Sequence, residues 1–135
     1  MALDITQRER EGITILDFKG RVTVGKEATA FREKISSLSQ GGTHNLVVNL
    51  EGVDYIDSTG LGALVMSATS MRKSDGTMKL LNLNRRNIEL LVMTKLATVF
   101  EIFNDEQDAV NSYFPDRKIK TFDILDFVQQ QRKDE

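Results

Sequence analysis

The sequence predicts an α/β domain with a mostly parallel sheet, because strand-like and helix-like segments alternate along it. Leu46-Val47-Val48-Asn49-Leu50 is a short apolar run with β-branched residues, the pattern of a strand covered on both faces. Before and after it, apolar residues recur in steps of three and four, the period of a helix face. The single proline, Pro115, falls after all of these segments.

Residues 13–19, Ile-Thr-Ile-Leu-Asp-Phe-Lys, alternate with a partial period of two and end at Gly20, which predicts a strand. Residues 3–9 are its weaker candidate partner, with Arg10-Glu11-Gly12 as the turn. Ala28, Phe31, Ile35 and Leu38 define a helix face, ended by Gln40-Gly41-Gly42, where a glycine can take the left-handed cap. After the 46–50 strand, Leu61, Leu64, Val65, Ala68 and Met71 predict a second helix ending near Asp75-Gly76. Met78 to Leu83 reads as a strand, and Ile88, Leu91, Val92 and Leu96 as a third helix. Val99 to Phe103 is expected to be an edge strand. Asn104, with Gln107 three residues on, resembles a capping box opening a helix through Phe114. The expected sheet therefore has four to five strands packed with about four helices. Residues 115–135 read as an extension, whose apolar stretch Phe122–Val128 is either a short helix docked on the parent domain, the favoured reading because it is too apolar to stay solvated, or a binding element.

With 135 residues, 40% hydrophobic and 28% charged, the chain fits one globular domain with a small appendage. It has no cysteine, which fits a reducing compartment. Eighteen basic against 20 acidic residues leave a net charge of −2, so there is no basic footprint for nucleic acid and no basic amphipathic face for a membrane surface. Neither a transmembrane run nor a signal peptide is legible, and the expected location is the cytoplasm. One histidine, His44, in a Gly-Gly-Thr-His-Asn turn, is expected to be solvated. With that inventory, metal sites and nucleophile–histidine sites are hard to build, so neither catalytic residues nor a cofactor is expected.

The segment Val53-Asp54-Tyr55-Ile56-Asp57-Ser58-Thr59-Gly60-Leu61-Gly62-Ala63-Leu64 carries the functional signal. Asp57, Ser58 or Thr59 would cap the following helix. Two glycines in a first helical turn each cost about 1 kcal/mol relative to alanine. They leave backbone N–H groups open to a close neighbour or an anion. Three readings compete: a plain helix cap, a nucleotide-phosphate loop, and an exposed hydroxyl that is itself phosphorylated. Gly60-Leu61-Gly62-Ala63-Leu64-Val65 keeps only the first two glycines of the dinucleotide motif, and no P-loop lysine motif is present. The nucleotide reading is accordingly weak.

Val47-Val48-Asn49-Leu50, Val53, and Tyr55 through Leu64 together resemble the signature of STAS domains, and more narrowly that of bacterial anti-sigma factor antagonists. The resemblance covers residues 1–114 as a domain, from about residue 3, and includes Gly20, Asp75-Gly76 and the Leu96-x-x-Val99-Phe100-x-Ile102 segment. It implies the STAS fold and a partner switch. Ser58 is then the phosphorylation site, with Thr59 the lesser candidate. An anti-sigma factor that is also a serine kinase is the partner, and a serine phosphatase resets the cycle. Partner-binding residues implied are Asp57, Ser58, Thr59, Gly60, Leu61 and Gly62, with Thr23 and Val24 from the neighbouring loop. The implied assembly is a monomer or weak dimer. Two positions depart from the family pattern: the loop reads Arg21-Val22-Thr23-Val24-Gly25 where acidic residues are common, and Lys95 stands where glycine is frequent. Met66 and Met71 are expected in the core, Met66 becoming a contact candidate if exposed. The alternative to a switch is a STAS scaffold or adaptor subunit, stressosome-like or transport-linked. The acceptor hydroxyl of Ser58 favours the switch.

Overall fold

The computed structural model describes residues 3–119. Its elements are β1 (Asp4–Arg10), β2 (Ile13–Val22), α1 (Lys26–Gln40), β3 (Asn45–Ile56), α2 (Ser58–Lys73), β4 (Thr77–Leu81), α3 (Arg85–Met93), β5 (Ile102–Phe103) and α4 (Glu106–Asn111). The five strands lie in sequence order. β1 runs antiparallel to β2, and every other pair is parallel. This is the mixed, mostly parallel α/β sheet expected.

Strand alternation decides which helix covers which face. Leu16, Val48 and Leu80 point to one side, where they bury Phe31 and Ile35 of α1, Leu64 and Met71 of α2, and Ile88 and Leu91 of α3. Their neighbours Ile15, Val47 and Leu81 point to the other side and pack on Ala109 and Val110 of α4, with Tyr113 and Phe114 closing the edge. Polar groups pin that second layer. Arg8 holds both Asp17 and Glu106, and Arg10 donates to Glu106 at 2.6 Å. Lys79, buried on β4, donates to Ser112 Oγ at 2.8 Å and lies 4.2 Å above the Tyr113 ring.

Several boundaries depart from the sequence reading. β3 continues to Ile56 instead of stopping at Leu50, because Val53 and Ile56 still point inward past an irregularity in its pairing with β2. A Cβ at Gly52 would lie 2.8 Å from the Phe18 carbonyl oxygen, so the strands can touch there only through glycine. β2 likewise runs through Gly20 (φ 126°) to Val22. The expected edge strand shrinks to Ile102–Phe103, since Val99 N–H turns back to the Leu96 carbonyl. Asp105, not Asn104, caps α4: its carboxylate accepts from Gln107 N–H at 3.0 Å, and the Gln107 side chain bonds Asn111 instead of closing a capping box. The left-handed residue after α1 is Gly42 (φ 93°). Lys95 adopts φ 63° just beyond α3, the conformation for which glycine is the ordinary choice. The apolar stretch Phe122–Val128 lies outside the described residues.

Candidate functional site

The C-terminal ends of the parallel strands β2 and β3 lie side by side, with Val22 paired to Ile56. Ligand and partner sites of open parallel sheets gather at such ends. Asp57 makes the corner between β3 and α2. Its extended backbone (φ −91°, ψ −175°) leaves the strand while its carbonyl takes the first helical bond, from Leu61 N–H at 2.8 Å. The side chain is shared between two elements. Oδ1 accepts from Gly60 N–H at 2.8 Å, capping α2. Oδ2 accepts from Val24 N–H at 2.9 Å, 33 residues away in the β2–α1 loop. Asp57 N–H in turn donates to the Val22 carbonyl at 3.3 Å. One aspartate thus stitches the β2–α1 loop to the start of α2. Partial burial pushes its carboxyl up. The N–H groups of Gly60, Val24, Thr59 and Asp57 itself more than offset this and hold it below the ordinary carboxylate range.

Gly60 has a packing reason. A Cβ there would stand 1.8 Å from the Val22 carbonyl oxygen and 2.7 Å from its carbon, both backbone atoms. Gly62 has none: a Cβ would meet nothing within 4 Å. The two glycines, alike in sequence, therefore do different things. Gly60 lets α2 sit against β2, whereas Gly62 leaves an open surface.

Ser58 and Thr59 occupy the first two positions of α2 and are exposed. Neither hydroxyl bonds a described residue, so both are free to react or to contact another molecule. The aligned peptide dipoles put the positive end of α2 at Ser58, where the first turn holds no acidic residue beyond the cap, and Arg72 and Lys73 complement the negative end at its last turn. Val24 is 67% exposed, held outward by the bond from its N–H to Asp57.

Of the sequence-predicted contact residues, the structure brings Asp57, Ser58, Thr59, Gly62, Thr23 and Val24 to one surface. Gly60 and Leu61 lie beneath it. Leu61 belongs to the core because the helical period turns it towards the sheet, so its side chain offers nothing to a partner. The methionines divide: Met71 is fully buried, whereas Met66 is 51% exposed and lines a depression with Gly25, Thr59 and Gly62. His44 is exposed, and its carbonyl receives Thr77 N–H. Among the described residues no three His, Asp or Glu side chains converge as a metal site needs, and no helix is long and apolar enough to cross a membrane.

Comparison with known proteins places this corner in context. The STAS domain family model matches residues 4–109. The anti-sigma-B factor antagonist of Bacillus subtilis (strain 168) is 32% identical over 102 residues, 76% of this chain and 92% of that protein. Among solved structures, an anti-sigma factor antagonist from Mycobacterium paratuberculosis superposes with a TM-score of 0.70 at 18% identity, covering 82% of this chain and 92% of the other. The Bacillus cell fate determinant SpoIIAA in its phosphorylated form gives a TM-score of 0.63 at 18% identity, covering 82% and 99%.

Proposed function

Since the chain belongs to the STAS domain family, with anti-sigma factor antagonists as its relatives, we propose that it binds an anti-sigma factor and is switched off by phosphorylation of Ser58. The observation that carries this reading is the Ser58 hydroxyl itself. It is exposed, bonds no described residue, and sits at the positive end of a helix whose corner Asp57 has already fixed.

A phosphate there adds a charge of about −1.5 to −2 beside the Asp57 carboxylate. Within the free protein, open N–H groups and the helix dipole offset part of that repulsion. A docked partner would have to strip water from both anions, which turns a favourable contact into an unfavourable one. The modified chain therefore stays folded while the partner leaves. Thr23 and Val24, Thr59 and Gly62 form the surrounding contact surface, and Thr59 is the lesser acceptor. A kinase activity of the anti-sigma factor writes the phosphate, and a serine phosphatase removes it.

The test is incubation with the serine-kinase anti-sigma factor and ATP, followed by mass mapping. The expected result is one phosphate, on Ser58, and none in Ser58→Ala. Labelling elsewhere, or no labelling at all, contradicts the reading.

A further inference from the structure

Two depressions lie along the seam between α1 and α2. One, of about 270 Å3, opens between Gly25 and Gly62. The other, of about 540 Å3, reaches Lys73 at the end of α2. Thr29, Arg32 and Met66 line both, so they form one trough. It begins at Thr59, next to Ser58, and follows α2 for roughly 20 Å at 1.5 Å per residue.

Three features define what fits it. Half-exposed Met66, with Val65, gives the trough an apolar strip in a side chain that adapts to its neighbour. Gly62 keeps its head open although no internal contact requires it, and a glycine inside a helix costs stability. Arg32 and Lys73 flank it, neither paired with a described residue, and Glu33 is the only acid among the lining side chains.

We propose that this trough is a second contact for the anti-sigma factor, taking an acidic amphipathic segment whose apolar side chains cover Met66 and whose carboxylates face Arg32 and Lys73. The proposal rests on the Ser58 reading and deepens it. A phosphate on Ser58, the residue before Thr59 at the head of the trough, repels an acidic occupant as well as crowding the corner.

The experiment compares the full chain with the double variant Arg32→Glu, Lys73→Glu. Both side chains are solvent-facing and make no described bond, so the fold should survive, with Tm lowered by only a few degrees because Lys73→Glu places an acid at the C-terminal end of α2. Affinity for the purified anti-sigma factor kinase that labels Ser58 is measured at low and at high salt. Charge reversal should weaken binding roughly tenfold or more at low salt, and the gap should narrow near 1 M salt, where screening is short-ranged. Should the double variant misfold, Arg32→Gln, Lys73→Gln is used, with a smaller loss of the same salt dependence. Affinity within about twofold of the wild-type chain, with Ser58→Asp still abolishing binding, overturns the trough and leaves the switch standing. A wild-type chain that binds no such kinase overturns both.

Discussion

Gly60→Ala and Gly62→Ala should move stability in opposite directions, although they place the same methyl group in the same helix two residues apart. At Gly60 the new Cβ starts 1.8 Å from the Val22 carbonyl oxygen. Carbon–oxygen contacts settle at about 3.3 Å or more, so β2 and the start of α2 must separate by roughly 1.5 Å. That displacement breaks the bonds that cross from β2 and its loop to the corner, Val24 N–H to the Asp57 carboxylate at 2.9 Å and Asp57 N–H to the Val22 carbonyl at 3.3 Å. A hydrogen bond to a charged group contributes about 1.5–3 kcal/mol and a neutral one about 0.5–1.5 kcal/mol, and alanine returns less than 1 kcal/mol of helix propensity. The net cost is about 2 kcal/mol, a fall in Tm of about 8 °C for a domain of this size. Gly62→Ala meets no atom and should gain about 0.5–1 kcal/mol, raising Tm by a few degrees. Urea titration of both variants, with the slope checked for constancy, measures the difference directly. Equal destabilisation by the two, or a neutral Gly60→Ala, refutes the division between a packing glycine and an open one.

Three further outcomes follow from the same geometry. Asp57→Ala should cost about 2 kcal/mol, by removing a cap and the tie to Val24, seen as a lower urea midpoint. Glu106, held down to about 2 by Arg8 and Arg10 against the opposing effect of burial, contributes stability that is fully present above its unfolded value near 4.5. That stability is lost as pH falls from there towards 2, so the urea midpoint of the wild-type chain should fall across this window more than that of Glu106→Gln. Lys95→Gly should stabilise the chain by about 1 kcal/mol, because it relieves the φ of 63° beyond α3; differential scanning calorimetry with an unchanged or lower Tm contradicts this.

The order and type of the elements were legible because each buried face repeats over several residues, as at Ala28, Phe31 and Ile35. So was the corner, since an aspartate before Ser-Thr-Gly-x-Gly is compact in sequence. What sequence could not separate depends on atoms far along the chain. Gly60 and Gly62 differ only through the Val22 carbonyl, and Asp57 acquires its second role from Val24, 33 residues upstream. The end of β3 was hidden because Glu51, Gly52 and Asp54 resemble a loop, while Val53 and Ile56 keep their inward places across the irregularity. Met66 and Met71 share an apolar helix pattern, and only the seam with α1 leaves one of them half exposed.

One phosphate on Ser58 should decide whether the partner stays. Calorimetric titration of the anti-sigma factor into the unmodified and the Ser58-phosphorylated chain, both checked for the same melting profile, tests it most directly. Binding to the unmodified chain is expected, with a loss of roughly a hundredfold or more on phosphorylation and with Ser58→Ala binding like the unmodified form. Equal affinity of the two folded forms contradicts it.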